Sequence, residues 1–187
     1  MPSILPFDEL NRVDSEIRER FGDETLEKRD KREEEDIIDE LLDLFLLAYA
    51  MGNSVTNENL ASSYEPSVDD VMRVVDEKVA GKTWRERVED YFANGGTGAD
   101  LARIATTETH RIANQAAYET AKAAGASEKT WHCMMLPTSR DTHIYLDGVT
   151  APIDGEFYSF KGGSTMYPGQ WGIAEEDVNC LCWLSFS

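Results

Sequence analysis

The spacing of hydrophobic and polar residues changes near residue 125, and this change predicts an α+β protein. Before Gly125 apolar residues recur every three or four positions, as on the buried face of an amphipathic helix. After Gly125 the apolar runs are short, and glycine, proline and aromatic residues become frequent. We therefore expect N-terminal helices followed by a small C-terminal β-rich, loop-rich unit packed on a long alanine-rich helix.

The helical part divides at its glycines and capping residues. A short charged helix is expected within residues 1–23, and a longer amphipathic helix is expected to stop at Gly52, before a polar loop over 53–66. Further helices are predicted from a capping box at Ser67 to about residue 81, and over 83–94.

The longest predicted helix starts with a second capping signal at Thr97 and ends at Gly125. Its many alanines favour the helix and leave a flat side for close packing. Glu108 and Arg111 are three residues apart and can pair on the helix surface. Alternatively, Glu108 or Asn114 reaches into the β-rich unit and hydrogen-bonds its loops.

Three strand signals follow the long helix. Residues 144–153 are predicted to form a hairpin with Asp147 and Gly148 at its turn. Residues 157–160 resemble a short strand before a Gly-Gly turn, and the segment CLCWLSF alternates like a final strand.

The charge of the chain restricts its partners. The formal net charge is −18, and half of this excess lies in the first 50 residues. An acidic surface repels phosphate, so direct binding to nucleic acid is disfavoured unless Lys122, Lys129, Arg140 and Lys161 form a local basic patch. No secretory signal is recognised, and the apolar segment 37–52 is interrupted by acids and too short to span a bilayer, so we expect a soluble protein without a membrane partner.

Two of the three cysteines, Cys180 and Cys182, lie one residue apart near the C-terminal end. With His143 they could supply three zinc ligands, the fourth being Cys133, His132, Asp147 or water. They could instead form a redox pair or be buried small residues of a strand. An odd number of cysteines favours reduced thiols. We expect packing and no cofactor, with zinc as the alternative.

The segment Arg140-x-x-His143-x-x-x-Asp147 offers a second candidate site. His143 could act as a general base, Asp147 could orient it and Arg140 could hold an anion, as in an enzyme acting on a nucleotide or phosphate ester. No recognisable nucleophile motif accompanies these residues. The structural interpretation, which we favour, is a paired arginine, a capping histidine and a turn aspartate.

In their order and spacing, these features resemble the phage Mu F-like family of head-morphogenesis proteins. The resemblance covers residues 83–187 and is carried by Thr107, Glu108, Asn114, Trp131, Arg140, His143, Asp147, Gly148, Phe157, Pro168, Gly169, Asn179, Cys180 and Cys182. Relatives often carry an acid just ahead of Arg-x-x-His, where this chain has Pro137-Thr138-Ser139, so no role for such an acid is transferred.

The resemblance implies a minor head protein, present in few copies near the portal and involved in DNA packaging or ejection. It would be found in the host cytoplasm during assembly and then in the virion head. Its expected partners are portal, scaffold or capsid protein, and the alternatives are the enzyme above or a DNA-binding ejection protein. We expect residues 1–82 to form an acidic helical docking arm, residues 83–187 to form the Mu F-like module, and no effector domain to follow.

Overall fold

The computed structural model describes residues 30–187, together with Ser15 and Glu19, which are both helical. Most of the helix expected within residues 1–23 lies outside the described residues. From residue 30 onward, four helices precede the strands: α1 (Lys31–Leu60), α2 (Val68–Val75), α3 (Trp84–Asn94) and α4 (Gly98–Ala123). The C-terminal unit then runs β1 (Glu128–His132), α5 (Asp141–Leu146), β2 (Thr150–Pro152), β3 (Phe157–Tyr158), β4 (Ser164–Thr165), α6 (Ala174–Asp177) and β5 (Trp183–Phe186).

The predicted fold class is confirmed, with helices first and a small antiparallel unit last. Strand β1 is the centre of a three-stranded sheet with order β2-β1-β5, in which Trp131 pairs with Leu184. Strands β3 and β4 form a separate two-stranded hairpin. The predicted capping boxes at Ser67 and Thr97 are both present, each closed by an aspartate three residues later.

Three element predictions are wrong. The helix predicted from Ser67 to about residue 81 already ends at Val75. Helix α1 continues through Gly52 to Leu60, so most of the predicted loop over 53–66 is helical. The predicted hairpin over 144–153 does not form, because residues 141–146 are a helix and Asp147-Gly148 links that helix to β2. Gly148 adopts a positive φ of 76° and donates its N–H to the carbonyl of Trp131, at 2.8 Å, so the turn is held against β1 rather than between two paired strands.

Gly52 continues the helix because α1 and α4 approach each other closely there. A Cβ on Gly52 would lie 3.0 Å from the carbonyl carbon of Ala113 and 3.1 Å from its Cα. The α1 side chains Phe45 and Ala48, both fully buried, belong to the same core as Leu101 and Ile112 of α4. The glycine is therefore a packing requirement between two helices and not a helix end.

Helix α4 is buried on almost every side, including its charged residues. The exposed fraction is 0% for Glu108 and Arg111 and 1% for Asn114. Arg111 donates from Nε to Glu108 at 2.7 Å, and its other nitrogens reach Glu77, Gln115 and the carbonyl of Val74. Arg87 also donates to Glu108. The predicted pairing of Glu108 with Arg111 is confirmed, but it lies in the interior and not on the surface.

Lys129 on β1 is a buried cation. Its Nζ donates to the carbonyl of Met166 at 2.8 Å and lies 4.7 Å from the ring centroid of Tyr118 and 5.5 Å from that of Phe157. Burial lowers the pKa of Lys129 to about 8. One carbonyl and two aromatic faces therefore replace the water that normally solvates a lysine.

We expect Gly52→Ala to destabilise the protein, although alanine is the better helix former by about 1 kcal/mol. The added methyl group must displace the backbone of Ala113, which overpacks the helix contact and costs about 1–3 kcal/mol of unfolding free energy. Chemical denaturation measures the change. Ser54→Ala on the exposed side of α1 is the control, and a Gly52→Ala protein as stable as this control would contradict the close approach.

Lys129 should make stability depend on pH. The pKa of lysine in an unfolded chain is about 10.4, so between about pH 8 and pH 10.4 the unfolded chain binds more protons than the folded one. The contribution of Lys129 to the free energy of unfolding should therefore rise with pH across this window. Denaturation of the wild type and Lys129→Met from pH 7 to 10 measures the difference. Parallel pH profiles would show that Lys129 titrates normally.

Candidate functional site

The segment Asn179–Cys182 lies against the middle of α4 and immediately precedes β5. Asn179 adopts a left-handed conformation with φ of 55°, which asparagine tolerates better than most residues, and its N–H donates to the hydroxyl of Thr107 at 3.1 Å. The cysteines therefore lie in a bent segment before the strand, since β5 itself starts at Trp183.

Asn114 holds the other end of this segment. Its side-chain amide donates to the carbonyl of Cys182 and to the carbonyl of His110, both at 2.9 Å. Thr107 and Asn114 are seven residues apart and therefore lie on one face of α4, two turns from each other. The expectation that Asn114 hydrogen-bonds the β-rich unit is confirmed, whereas Glu108 is bound within the helical part.

His143, on α5, contacts both cysteines of this segment. Its Nδ1 atom lies 3.5 Å from Sγ of Cys180 and 3.4 Å from Sγ of Cys182. The imidazole stacks on Trp171 with a centroid distance of 6.1 Å and meets Trp131 edge to face at 5.7 Å. All three cysteines of the chain are free and buried.

A buried carboxylate lies behind the histidine. Nε2 of His143 is 3.1 Å from Oε2 of Glu176, but no hydrogen bond joins the two atoms. The hydroxyl of Thr142 donates to the same oxygen at 2.8 Å. Glu176 is 4% exposed although it sits in the acidic run Glu175-Glu176-Asp177. The imidazole is thus placed between an acid on one side and two sulfurs on the other.

The two thiols do not ionise independently. A hydrogen bond from Cys182, together with His143, holds the pKa of Cys180 well below its usual value. The hydrogen bond with Cys180 and burial raise the pKa of Cys182. The two shifts are opposite because a second thiolate would be buried beside the first.

Arg140 and Asp147 have partners away from His143. The Arg140 guanidinium donates to the carbonyls of Glu175 and Val178 and so fixes both ends of the last turn of α6. Asp147 accepts a hydrogen bond from the N–H of Cys133 at 2.8 Å. Arg140, His143 and Asp147 thus do not converge on a shared substrate position, which removes the geometric basis for a joint catalytic role.

The turn at Pro168-Gly169 packs directly on α4. Gly169 has a φ of 88°, and a Cβ there would lie 3.0 Å from Cβ of Arg111 and 3.1 Å from its Cα. Tyr167, one residue before Pro168, packs its ring on Tyr118 of α4 at 5.4 Å. The glycine is therefore needed both for its conformation and for its contact with the helix.

Sequence reasoning missed the acid that faces the histidine and the residues that support α6. Asp177, also buried, accepts from the N–H of Trp171 at 2.8 Å and from that of Ile173 at 3.2 Å. Burial raises the pKa of its carboxyl. No local signal separates Glu176 and Asp177 from Glu175, which is exposed, because all three belong to one acidic run.

Comparison with known proteins identifies relatives of two kinds. An alignment 148 positions long is 31% identical to the NAD(+)--arginine ADP-ribosyltransferase EFV of Enterococcus faecalis, and covers 61% of this chain and 30% of that protein. A segment of 85 residues is 33% identical to Minor head protein GP7 of Bacillus phage SPP1, and covers 44% of this chain and 28% of that protein. The chain thus matches less than a third of the length of either relative. No solved structure matches it.

The family model described as phage Mu protein F like protein matches residues 56–185. This range contains every residue that carried the resemblance in the sequence and begins within α1, ahead of the expected boundary at residue 83. Most of the chain is covered, including α2 to β5. The chain therefore belongs to the phage Mu protein F like family.

Proposed function

We propose that this protein is a minor head protein of a tailed phage, incorporated in few copies during head assembly near the portal, with a role in DNA packaging or ejection. The observation that carries the proposal is the alignment with Minor head protein GP7 within a chain that belongs to the Mu F-like family. The protein would act in the host cytoplasm during assembly and then remain in the virion head.

The two relatives support a structural module more than a reaction. Their names differ in activity, yet their alignments cover 61% and 44% of this chain and must therefore share residues. A segment common to a transferase and a head protein is best explained as a scaffold. In agreement, Thr107, Asn114 and Arg140 of the family pattern all bind backbone groups of the C-terminal unit.

The proposed docking surface is the exposed acidic stripe of α1, formed by Glu35, Asp39 and Asp43. These residues are four apart and lie on one side of the helix, while Ile38 and Leu41 face the core. A helix whose inner face is fixed on α4 presents this stripe at a constant position. Its charge favours a basic surface on portal, scaffold or capsid protein, with an affinity that falls as salt increases.

Direct DNA binding through the predicted basic patch has little support. Lys129 is buried, Lys122 pairs with Asp154, and Arg140 is bound to two carbonyls. Three of the four cations are therefore engaged within the protein. None of the described helices is long and apolar enough to cross a membrane.

The docking proposal predicts that charge reversal on α1 blocks incorporation. In the phage that encodes the chain, Glu35→Lys, Asp39→Lys and Asp43→Lys together should lower the amount of this protein in purified heads by about tenfold, since a loss of about 1.4 kcal/mol in binding reduces affinity by that factor. Quantitative mass spectrometry of heads measures the change. All three side chains are exposed, so the fold should be retained.

The matched control reverses three exposed acids on other parts of the surface, Glu65, Asp76 and Glu89, with the same change in net charge. This variant should enter heads as the wild type does. Equal loss in both variants would show that net charge matters and the α1 stripe does not. Absence of the wild-type protein from heads would overturn the proposed function itself.

A further inference from the structure

We propose that His143, Cys180 and Cys182 bind one Zn²⁺ ion through Nδ1 and the two Sγ atoms, with the fourth coordination position facing a small cavity. The three ligand atoms lie within 4.8 Å of one another, and all three side chains are buried. The assignment is independent of the proposed role in head assembly, since it rests on the geometry of the cluster alone.

The distances fit tetrahedral zinc. Zn–S bonds of about 2.3 Å and Zn–N bonds of about 2.1 Å at a tetrahedral angle place sulfur and nitrogen about 3.6 Å apart. The observed separations between Nδ1 of His143 and the sulfurs are 3.5 Å for Cys180 and 3.4 Å for Cys182. Both nitrogen-to-sulfur distances therefore agree with a tetrahedral site to within about 0.2 Å, and the two sulfurs lie within 4.8 Å of each other.

The environment of the imidazole also fits a metal ligand. When Nδ1 binds a metal, Nε2 carries the proton, and a carboxylate or carbonyl usually accepts it. Here Nε2 lies 3.1 Å from the carboxylate of Glu176, which the hydroxyl of Thr142 holds in place. The two atoms are not hydrogen-bonded in this structure, but the carboxylate is near enough to accept the Nε2 proton after a small rotation of either side chain.

Charge balance supports the same assignment. Two thiolates and the Glu176 carboxylate would place three negative charges in a buried region, and a divalent cation offsets two of them. Arg140 also lines the cavity, although its guanidinium donates to the carbonyls of Glu175 and Val178.

The fourth position opens toward a cavity of about 40 Å³ lined by Cys133, Ser139 and Leu181 among others. This volume is sufficient for a water molecule. Cys133 lies in the cavity wall, but its sulfur does not belong to the group of ligand atoms found among the described residues. We therefore assign the fourth position to water, which makes Cys133 the matched control for the two ligand cysteines.

Bound zinc would fasten α5 to the segment before β5, two parts of the chain that are far apart in sequence. Metal binding would then contribute to folding, because the unfolded chain has no preformed site. Removal of the metal should lower the melting temperature of the C-terminal unit.

Elemental analysis of the full-length protein, expressed in zinc-supplemented medium and purified under reducing conditions, tests the proposal. The wild type should contain about one zinc per chain, and Cys180→Ser and Cys182→Ser should contain almost none, because three protein ligands form the site. Cys133→Ser should retain the metal. Glu176→Gln should weaken affinity about 10- to 100-fold, as expected for the loss of the carboxylate behind the histidine.

Cobalt substitution provides a second measurement, which does not depend on the folding of the variants. Wild-type protein stripped with a chelator and titrated with Co²⁺ should show the visible bands of a tetrahedral site and a thiolate-to-cobalt charge-transfer band. If the stripped wild-type protein shows none of these bands after Co²⁺ is added, the proposal is overturned. Retention of zinc by Cys180→Ser would also overturn it. Loss of zinc from Cys133→Ser would overturn the assignment of water to the fourth position.

Discussion

The structure depends on the burial of α4 along residues 104–118, because charged side chains without access to water must have partners inside the molecule. The Glu108 and Arg111 charges have no access to water, so α2, α3 and the interior of α4 itself must provide their counter-charges and acceptors. Removing one partner of such a buried ion pair typically lowers the free energy of unfolding by about 3–5 kcal/mol. The need to pair Glu108 and Arg111 therefore fixes the positions of α2 and α3 on α4.

The same requirement explains why the family pattern consists of residues that join parts of the fold. Thr107 and Asn114 project from α4 toward the C-terminal unit and bind the backbone on either side of the cysteines. Gly169 lets the opposite turn approach the same helix. Each of these residues satisfies a backbone group or removes a steric conflict. These residues of the family pattern therefore attach the C-terminal unit to α4. Such a structural role is compatible with relatives of different activity.

Much of this arrangement is predictable from sequence, and the remainder depends on tertiary contacts. Capping boxes and the 3.6-residue periodicity identify α2, α3 and α4, since these signals are local. The continuation of α1 through Gly52 could not be predicted, because the reason for that glycine is Ala113 on another helix. Residue types suggested the grouping of His143 with the two cysteines only as the zinc alternative to packing. The role of Glu176 could not be predicted, because its burial depends on how α6 packs.

The order of strands in the sheet has a consequence for the folding of the protein during synthesis. The central strand β1 pairs with β2 soon after it in the chain, but its other neighbour is β5, and Lys129 is paired with Phe186. The helices can pack as soon as α4 has left the ribosome, whereas one edge of β1 stays open until residues 183–186 have been made. Long-range pairing of this kind is slow, and an open strand edge favours association between chains. The sheet can therefore close only after residues 183–186 have been made, and until then the open edge of β1 is available to other chains.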